Sequence, residues 1–419
     1  MEIQEASSLS AVPPKHSVLS AFRHKNFRTF FTGQTISLIG TWSQSLALSW
    51  LVWRMTHSAA WLGVIGFTVQ FPMLIFGLPG GWAADRFDRR RSLLLMQILC
   101  MLQATLLAAL TLAGAVTLWQ VFALSVMLGT VYAFEFPLRQ SFVMDMVGKR
   151  DLLNAVSLNA GMIHATRAVG PVAAGAIIAW KGEGICFLFN AATFLALIVA
   201  LMMIDPKSLI PTKQGSSAIF SSIHEGLSFM RRQPHARMGL ILTAAVSVIG
   251  MSYIPLMPIY ADVIFKGGSV ELGWMMGSSG VGALLGAIWL AGRGSSERLL
   301  TLSAAAAVLF SMALMAFSQM PSIWLGLPLL SAVGFFATVH FSCINTLLQQ
   351  KVPDNLRGRA MSIFTTIAMG LAPFGILVAG FLAQKIGAPH TALALGFFCM
   401  VSSAAIWVKA RALDDGGKG

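Results

Sequence analysis

Charge is scarce in this sequence. Only 11% of its 419 residues are Asp, Glu, Lys or Arg, against about a quarter in soluble domains. That shortage excludes a chain that keeps its whole surface in water, and a mean hydropathy of +0.74 agrees. Cysteine is scarce as well. Cys100, Cys186, Cys343 and Cys399 contain no Cys-x-x-Cys pair, so neither a disulfide framework nor a zinc site is expected. There is no Gly-x-x-x-x-Gly-Lys phosphate loop, which argues against an ATP-driven pump. Neither a His-Glu-x-x-His metal motif nor a suitably flanked Gly-x-Ser-x-Gly elbow is present. No enzyme activity, metal or bound cofactor is therefore expected. Residues 1–27 have no small-residue cleavage site after a short apolar core, and read as a cytoplasmic tail rather than a signal peptide.

Long apolar runs are what the sequence has instead. A bilayer core about 30 Å thick needs roughly 20 apolar residues per helix. Runs of that kind lie near 28–53, 59–84, 92–113, 117–146, 153–180 and 183–204. After a polar stretch they resume near 236–263, 270–292, 298–318, 322–350, 358–386 and 388–410. They are too long for barrel strands, so the expected fold is an all-α membrane protein of twelve transmembrane helices. The net charge of +13 then belongs to loops on the cytoplasmic side rather than to a nucleic-acid surface. With both termini in the cytoplasm, the internal loops hold most Lys and Arg, among them Arg86, Arg89, Arg90, Arg91, Lys149, Arg150, Arg231, Arg232, Arg293, Arg298, Lys351, Arg357 and Arg359. External loops hold few, such as Lys181 and Lys266.

Residues 205–235 form the one long polar connector, with Pro206, Pro211 and the run Gln214-Gly215-Ser216-Ser217. Its later part, around Ile223 to Arg232, has the composition of a short surface helix. The connector divides the chain into a first half, 28–204, and a second, 236–410, followed by a tail at 411–419. The halves are alike. Ala155, Ser157, Gly170 and Gly175 of the run beginning at Asn154 match Ala360, Ser362, Gly375 and Gly380 of the run beginning at Arg359. Leu62-Gly63 likewise matches Leu272-Gly273. Two parallel six-helix halves are the plan of one large transporter class.

The most specific local signal is Gly81-x-x-x-Asp85-Arg86-x-x-Arg89-Arg90, at the cytoplasmic end of the second span. It resembles the loop signature of the major facilitator superfamily, with Asp88 where many members have glycine. Gly80 and Gly81 permit close helix contact. Asp85 suits a helix N-terminus across the two halves, and Arg89 suits a bridge to Asp145 at the end of the fourth span. Such a cluster would hold one conformation and release it in the other; a plain stop-transfer charge cluster is the alternative. Gly170-Pro171-x-x-x-Gly175 resembles the glycine-proline signature of antiporting exporters, and would act as a hinge in the fifth helix; an ordinary packing kink is the alternative. The run from Phe134 to Asn159, with Glu135, Pro137, Arg139, Gln140, Asn154, Ala155, Leu158 and Asn159, resembles the branch that includes the enterobactin exporter and macrolide efflux proteins. The resemblance implies two pseudo-symmetric halves, proton-driven export of a small amphipathic molecule by alternating access, and a bacterial inner membrane location.

The charges in mid-membrane point the same way independently. An ionisable group there costs at least ~2.5 kcal/mol on insertion scales, so it needs a partner or a water-lined cavity. Glu135 and Arg139 share one helix face. Glu135 and, on the next helix, His164 each lie about 18 Å above the intervening loop at 1.5 Å per residue, and Arg167 follows His164 on the same face. The four are expected to meet at one depth as a proton-coupling group; a static ion pair is the alternative. Gln34, Trp42, Gln44, Gln70, His340, Asn345 and Gln349 are further polar residues within spans. By the resemblance, Gln44, Tyr253, His340 and Asn345 are candidate substrate contacts; hydrogen bonds to neighbouring helices are the alternative. The expected partners are membrane lipid and a small-molecule substrate, with a functional monomer and the proton gradient as the energy source. Uptake, lipid flipping and a non-transporting receptor role stand as other readings.

Overall fold

The computed structural model describes residues 19–210, 228–293 and 298–416. The expected tail before residue 19, the connector over 211–227 and the last three residues lie outside them. Among the described residues there is no strand, and ten helices are long and apolar enough to cross a membrane. One of the ten, Leu118–Lys181, has 64 residues, about 96 Å at 1.5 Å per residue. That is some three bilayer cores, and the run is broken at Gly148, whose φ is 67°. The fold therefore turns there on a single left-handed glycine, where the sequence suggested a loop of several residues. A further helix, Lys25–Thr56, is 32 residues long. It falls outside the ten because its mean hydropathy is diluted by the Ser, Thr, Gln and Gly that it carries.

In chain order the helices are α1 (Lys25–Thr56), α2 (Ala59–Arg86), α3 (Arg89–Leu112), α4 (118–147), α5 (149–181) and α6 (Glu183–Met203). The second half comprises α7 (Pro234–Ile264), α8 (Ser269–Arg293), α9 (Leu299–Ser318), α10 (Ile323–Lys351), α11 (354–386) and α12 (Ala388–Gly416). The last helix runs on into the segment expected to be a tail, where the Arg411 guanidinium lies 4.7 Å from the Trp407 ring centroid one turn back. Residues 228–232 are helical; the rest of the expected surface helix lies outside the described residues. Two helices are irregular. α7 passes through a 3-10 segment, Gly250–Leu256, and a π turn, Tyr260–Ile264. α11 contains a π turn, Thr366–Gly370. The Ser247 hydroxyl of α7 donates to the Ala368 carbonyl inside that turn at 2.6 Å. Such side-chain bonds can take up backbone groups that a π turn leaves without their usual partners.

The repeated glycines occupy equivalent contacts. Gly170 of α5 packs against Trp42 and the Ile39 carbonyl of α1. Its counterpart Gly375 of α11 packs against the Val248 carbonyl and Ser252 of α7. Gly175 of α5 meets Ser269 of α8, and Gly380 of α11 meets Ala59 and Gly63 of α2. Gly273 of α8 faces Pro171 and Gly175 in return. Each half thus contributes the same two helices to the interface, as a twofold relation requires. At these points backbones approach so closely that only glycine fits.

Among the described residues, the closest approaches between the halves lie toward one end. Along α5 and α8 the contacts run from Gly175 with Ser269, through Pro171 with Gly273, to Ala168 and Arg167 with Gly280. Along α2 and α11 they run from Gly63 with Gly380, through Gly66 with Ile376, to Leu74 with Gly370. Beyond, toward the basic loops, Gly81, Gly161, Gly292 and Gly358 have nothing within 4 Å of where a Cβ would stand. The result is a cleft that opens at the basic end. Its closed end carries hydrogen bonds between the halves: Trp53 Nε1 donates to Asp262 at 2.7 Å, the Ser58 hydroxyl and the Ala60 amide donate to Gln384 at 3.0 and 3.4 Å, and the Ser269 hydroxyl donates to the Gly175 carbonyl at 3.1 Å.

Candidate functional site

The basic end of the first half is knitted by the loop signature. Arg89 donates from Nη1 to Asp145 at 2.7 Å and from Nε to the Ala84 carbonyl at 2.9 Å. The α2–α3 turn is thereby fastened to the end of α4. Arg90 donates to the Leu201 and Met202 carbonyls at the C-terminus of α6, where a cation offsets the free carbonyls. Arg86 lies over the Trp82 ring at 5.3 Å. Asp88, which replaces the usual glycine, caps α3 by accepting from the Arg91 amide at 2.7 Å. Gly80 packs against the Ala133 carbonyl of α4, but Gly81 faces open space. Asp85 does not reach the other half: its side chain is 39% exposed and lies 3.7 Å from Arg89. Among the described residues no contact links Asp85 to the second half, which is open toward the cleft at that end.

The same end is tied to the N-terminal segment. The Ala21 amide donates to Asn154 at 2.9 Å, and His24 pairs with Asp151 at 2.9 Å. Asn26 donates to the Asp205 carbonyl and to Ser208. The His24 contact holds the Asp151 carboxyl below the usual carboxylate range.

In mid-membrane, Glu135 is buried and pairs with Arg139 at 3.3 Å on the same face of α4. Tyr132, one turn before, stands beside Thr41 of α1 and within electrostatic reach of both charges. His164 and Arg167 form a separate group on α5. The Arg167 guanidinium lies 5.6 Å from the Trp42 ring centroid. Among the described residues no hydrogen bond or ion pair joins Glu135 or Arg139 to His164 or Arg167. The expected single cluster is thus two neighbouring groups. Glu135 and Arg139, four apart on one turn, satisfy each other without reaching α5.

Two expected substrate contacts are placed elsewhere. Gln44, 2% exposed, bonds Gln103 of α3 at 2.9 Å and accepts from Asn190 of α6 at 2.7 Å. It belongs to a buried polar network inside the first half. His340 is fully enclosed, with Nδ1 2.8 Å from the Ser303 hydroxyl of α9, so it binds a helix neighbour rather than facing the cleft. Asn345 accepts from Gln349 toward the basic end of α10. Tyr253 packs edge-on against Phe310. Gly170 lies against Trp42, and Ser43 donates to its carbonyl at 2.9 Å, so Gly170, Pro171 and Gly175 sit at helix crossings of α5. The sequence reading missed Tyr132, Gln103, Asn190 and the Trp53–Asp262 bond. An indole and a carboxylate at the ends of α1 and α7 away from the basic loops were the available signal for the last.

A cleft between two pseudo-symmetric helical halves, closed at one end, with buried ion pairs inside the first half, is a transporter's geometry. The family model described as "Transmembrane secretion effector", of the major facilitator type, matches residues 16–415. The chain belongs to the major facilitator superfamily. Its similar proteins include a staphyloferrin A transporter of Staphylococcus aureus, 24% identical, covering 88% of this chain and 92% of that one. The multidrug efflux pump Tap of Mycolicibacterium fortuitum is 27% identical, over 84% and 87%. An enterobactin exporter, EntS, of Shigella boydii is 24% identical, over 90% of each. Among solved structures, a bacterial homologue of the human lysosomal transporter Spinster, inward-facing and unoccupied, has a TM-score of 0.69 at 14% identity, over 93% and 97% of the two chains. A POT family transporter in complex with 5-aminolevulinic acid has a TM-score of 0.71 at 11% identity, over 93% and 96%. This superfamily member is a multi-pass membrane transporter and not an enzyme.

Proposed function

We propose that this facilitator is a proton-coupled exporter of a small amphipathic molecule, siderophore or drug-like, in a bacterial cytoplasmic membrane. It works as a monomer in the lipid, without a bound cofactor, and its energy source is the proton gradient. Twelve crossings place both termini in the cytoplasm, since the loops between α2 and α3, α4 and α5, and α10 and α11 then carry their Lys and Arg on that side. The cleft that opens at the basic end is accordingly the inward-open state. The observation that carries the reading is this one-ended cleft with a buried acid-base pair, Glu135 and Arg139, beside it.

Export follows from rocking the halves about the midplane. Substrate enters from the cytoplasm, the seam of α5 with α8 and α2 with α11 parts, and the basic end closes. The antiparallel register of α2 on α11, continued past Leu74 and Gly370, brings Gly81 opposite Ser362 and Asp85 opposite Gly358. Asp85 then lies by the first turns of α11, where a helix N-terminus stabilises an anion by about 0.3–1 kcal/mol. Glu135 serves as the coupling carboxylate. Its contact with Arg139 at 3.3 Å is the pair that substrate or helix motion would break and remake during the cycle. The similarity to siderophore and drug exporters supports this choice of cargo and direction. A deletion strain tests it: a fall in siderophore secretion, or hypersensitivity to an amphipathic drug restored by the wild-type gene, is expected. Unchanged secretion and unchanged susceptibility across the panel would refute export.

A further inference from the structure

We infer that Arg167 is the docking point for an anionic group of the cargo, so that the substrate is an amphipathic organic acid rather than a neutral or cationic compound. The inference rests on the transporter reading above and narrows its cargo. Arg167 lies about 27 Å along α5 from its start and about 21 Å from its end at 1.5 Å per residue, deep in the membrane. It stands where the seam of α5 and α8 ends, its carbonyl close to Gly280. That is the apex of the open cleft.

A cation at this depth needs compensation, and among the described residues no carboxylate supplies it. Among the described residues Arg167 makes no ion pair. Glu135 is engaged by Arg139, Asp145 by Arg89, Glu183 by Arg54 and Asp262 by Trp53. The face of Trp42 is its one close partner. A ring face attracts a cation but leaves guanidinium donors unfilled.

The surroundings extend the same pattern. His164 Nδ1, one turn away on α5, and Trp42 Nε1 are both enclosed without a hydrogen-bond partner. Gly280 of α8 stands against the Arg167 carbonyl from the other half. The site therefore joins an uncompensated cation, an indole N–H, an imidazole nitrogen and one aromatic surface. A planar oxyanion such as a carboxylate fits the guanidinium fork bidentately, while an attached ring or chain fits the Trp42 surface. Because α1 and α5 come from one half and Gly280 of α8 from the other, an anion bound here lies where the halves meet and is placed to feel the rocking motion.

The test uses the full-length protein in phosphatidylcholine nanodiscs, with empty nanodiscs as the blank. Calorimetry compares naphthylacetate with its neutral isostere naphthylacetamide and with naphthylmethylamine. The acid should bind at least about tenfold more tightly than the amide, the usual worth of a charge-assisted hydrogen bond. Arg167→Gln should bind acid and amide alike, and Arg167→Lys should keep much of the preference. Equal affinities in the wild-type protein, no binding of the acid, or a preference that survives Arg167→Gln would overturn the inference. The wild-type comparison needs no variant to fold. Adding phosphatidylglycerol to the discs separates the sources of the anion: competition assigns the subsite to lipid phosphate, and its absence to the soluble acid. Selective acid binding without flux in proteoliposomes would refute transport while leaving the subsite in place.

Discussion

Replacing Gly175 by valine should force the closed end of the cleft apart. A Cβ at residue 175 would stand 2.5 Å from the Ser269 carbonyl oxygen and 3.1 Å from the Val270 Cα. Both are backbone atoms, so no side-chain rotation relieves the clash. The α5–α8 seam must open by roughly an ångström to reach an ordinary contact, which also weakens the 3.1 Å hydrogen bond from Ser269 to the Gly175 carbonyl. Overpacking of this kind costs about 1–3 kcal/mol, and the cost falls only on the conformation in which the seam is shut. The population should therefore shift about five- to a hundredfold toward the state closed at the basic end. Disulfide trapping reads both states. Ser58→Cys with Gln384→Cys reports the shut seam, and Gly81→Cys with Ser362→Cys reports closure at the basic end. The native cysteines are all buried, so background crosslinking is low. Gly175→Val should lower the first yield and raise the second. Unchanged yields for both pairs would refute the assignment of this seam as the gate.

Gln44→Leu should lower the melting stability by about 2–4 kcal/mol by stranding Gln103 and Asn190, with transport per folded molecule retained; a stable variant with lost transport would return Gln44 to the cargo site. Arg89→Ala should cost about 3 kcal/mol by leaving Asp145 with a broken pair, measurable as a lower melting temperature in detergent, whereas an unchanged melt would show that the tie is not structural. The His24–Asp151 tie should weaken in acid. Asp151 has its pKa lowered in the folded protein, so its contribution is present above the unfolded value near ~4 and is lost as the pH falls through the lower folded value. Hydrogen exchange over residues 19–25 should accelerate in that window and, in Asp151→Asn, at neutral pH as well; exchange independent of both would discount the tie.

Much of the architecture was legible because lipid demands long apolar helices and because the two halves carry the same small residues. The matched glycines at 63 and 273, 170 and 375, and 175 and 380 lie at equivalent crossings, and the Arg89–Asp145 bridge follows from the order of the loop signature. Facing was not legible. In lipid the outside of a helix is as apolar as its inside, so hydropathy does not reveal that Gln44 and His340 point into their own halves. The irregular turns of α7 and α11 were hidden as well, because they depend on contacts between helices such as Ser247 with Ala368. The reach of Glu135 toward α5 failed for a simpler reason: equal depth along two helices does not fix the rotation of either.

Everted membrane vesicles with an acidic interior test the central claim most directly. Accumulation of a siderophore or dye inside them should require this protein and collapse with a protonophore. In vesicles carrying Glu135→Gln at equal protein level, gradient-driven accumulation should be lost, while exchange of cargo in the absence of a gradient persists. Accumulation that is indifferent to the protonophore, or undiminished in Glu135→Gln, would contradict proton coupling through this carboxylate.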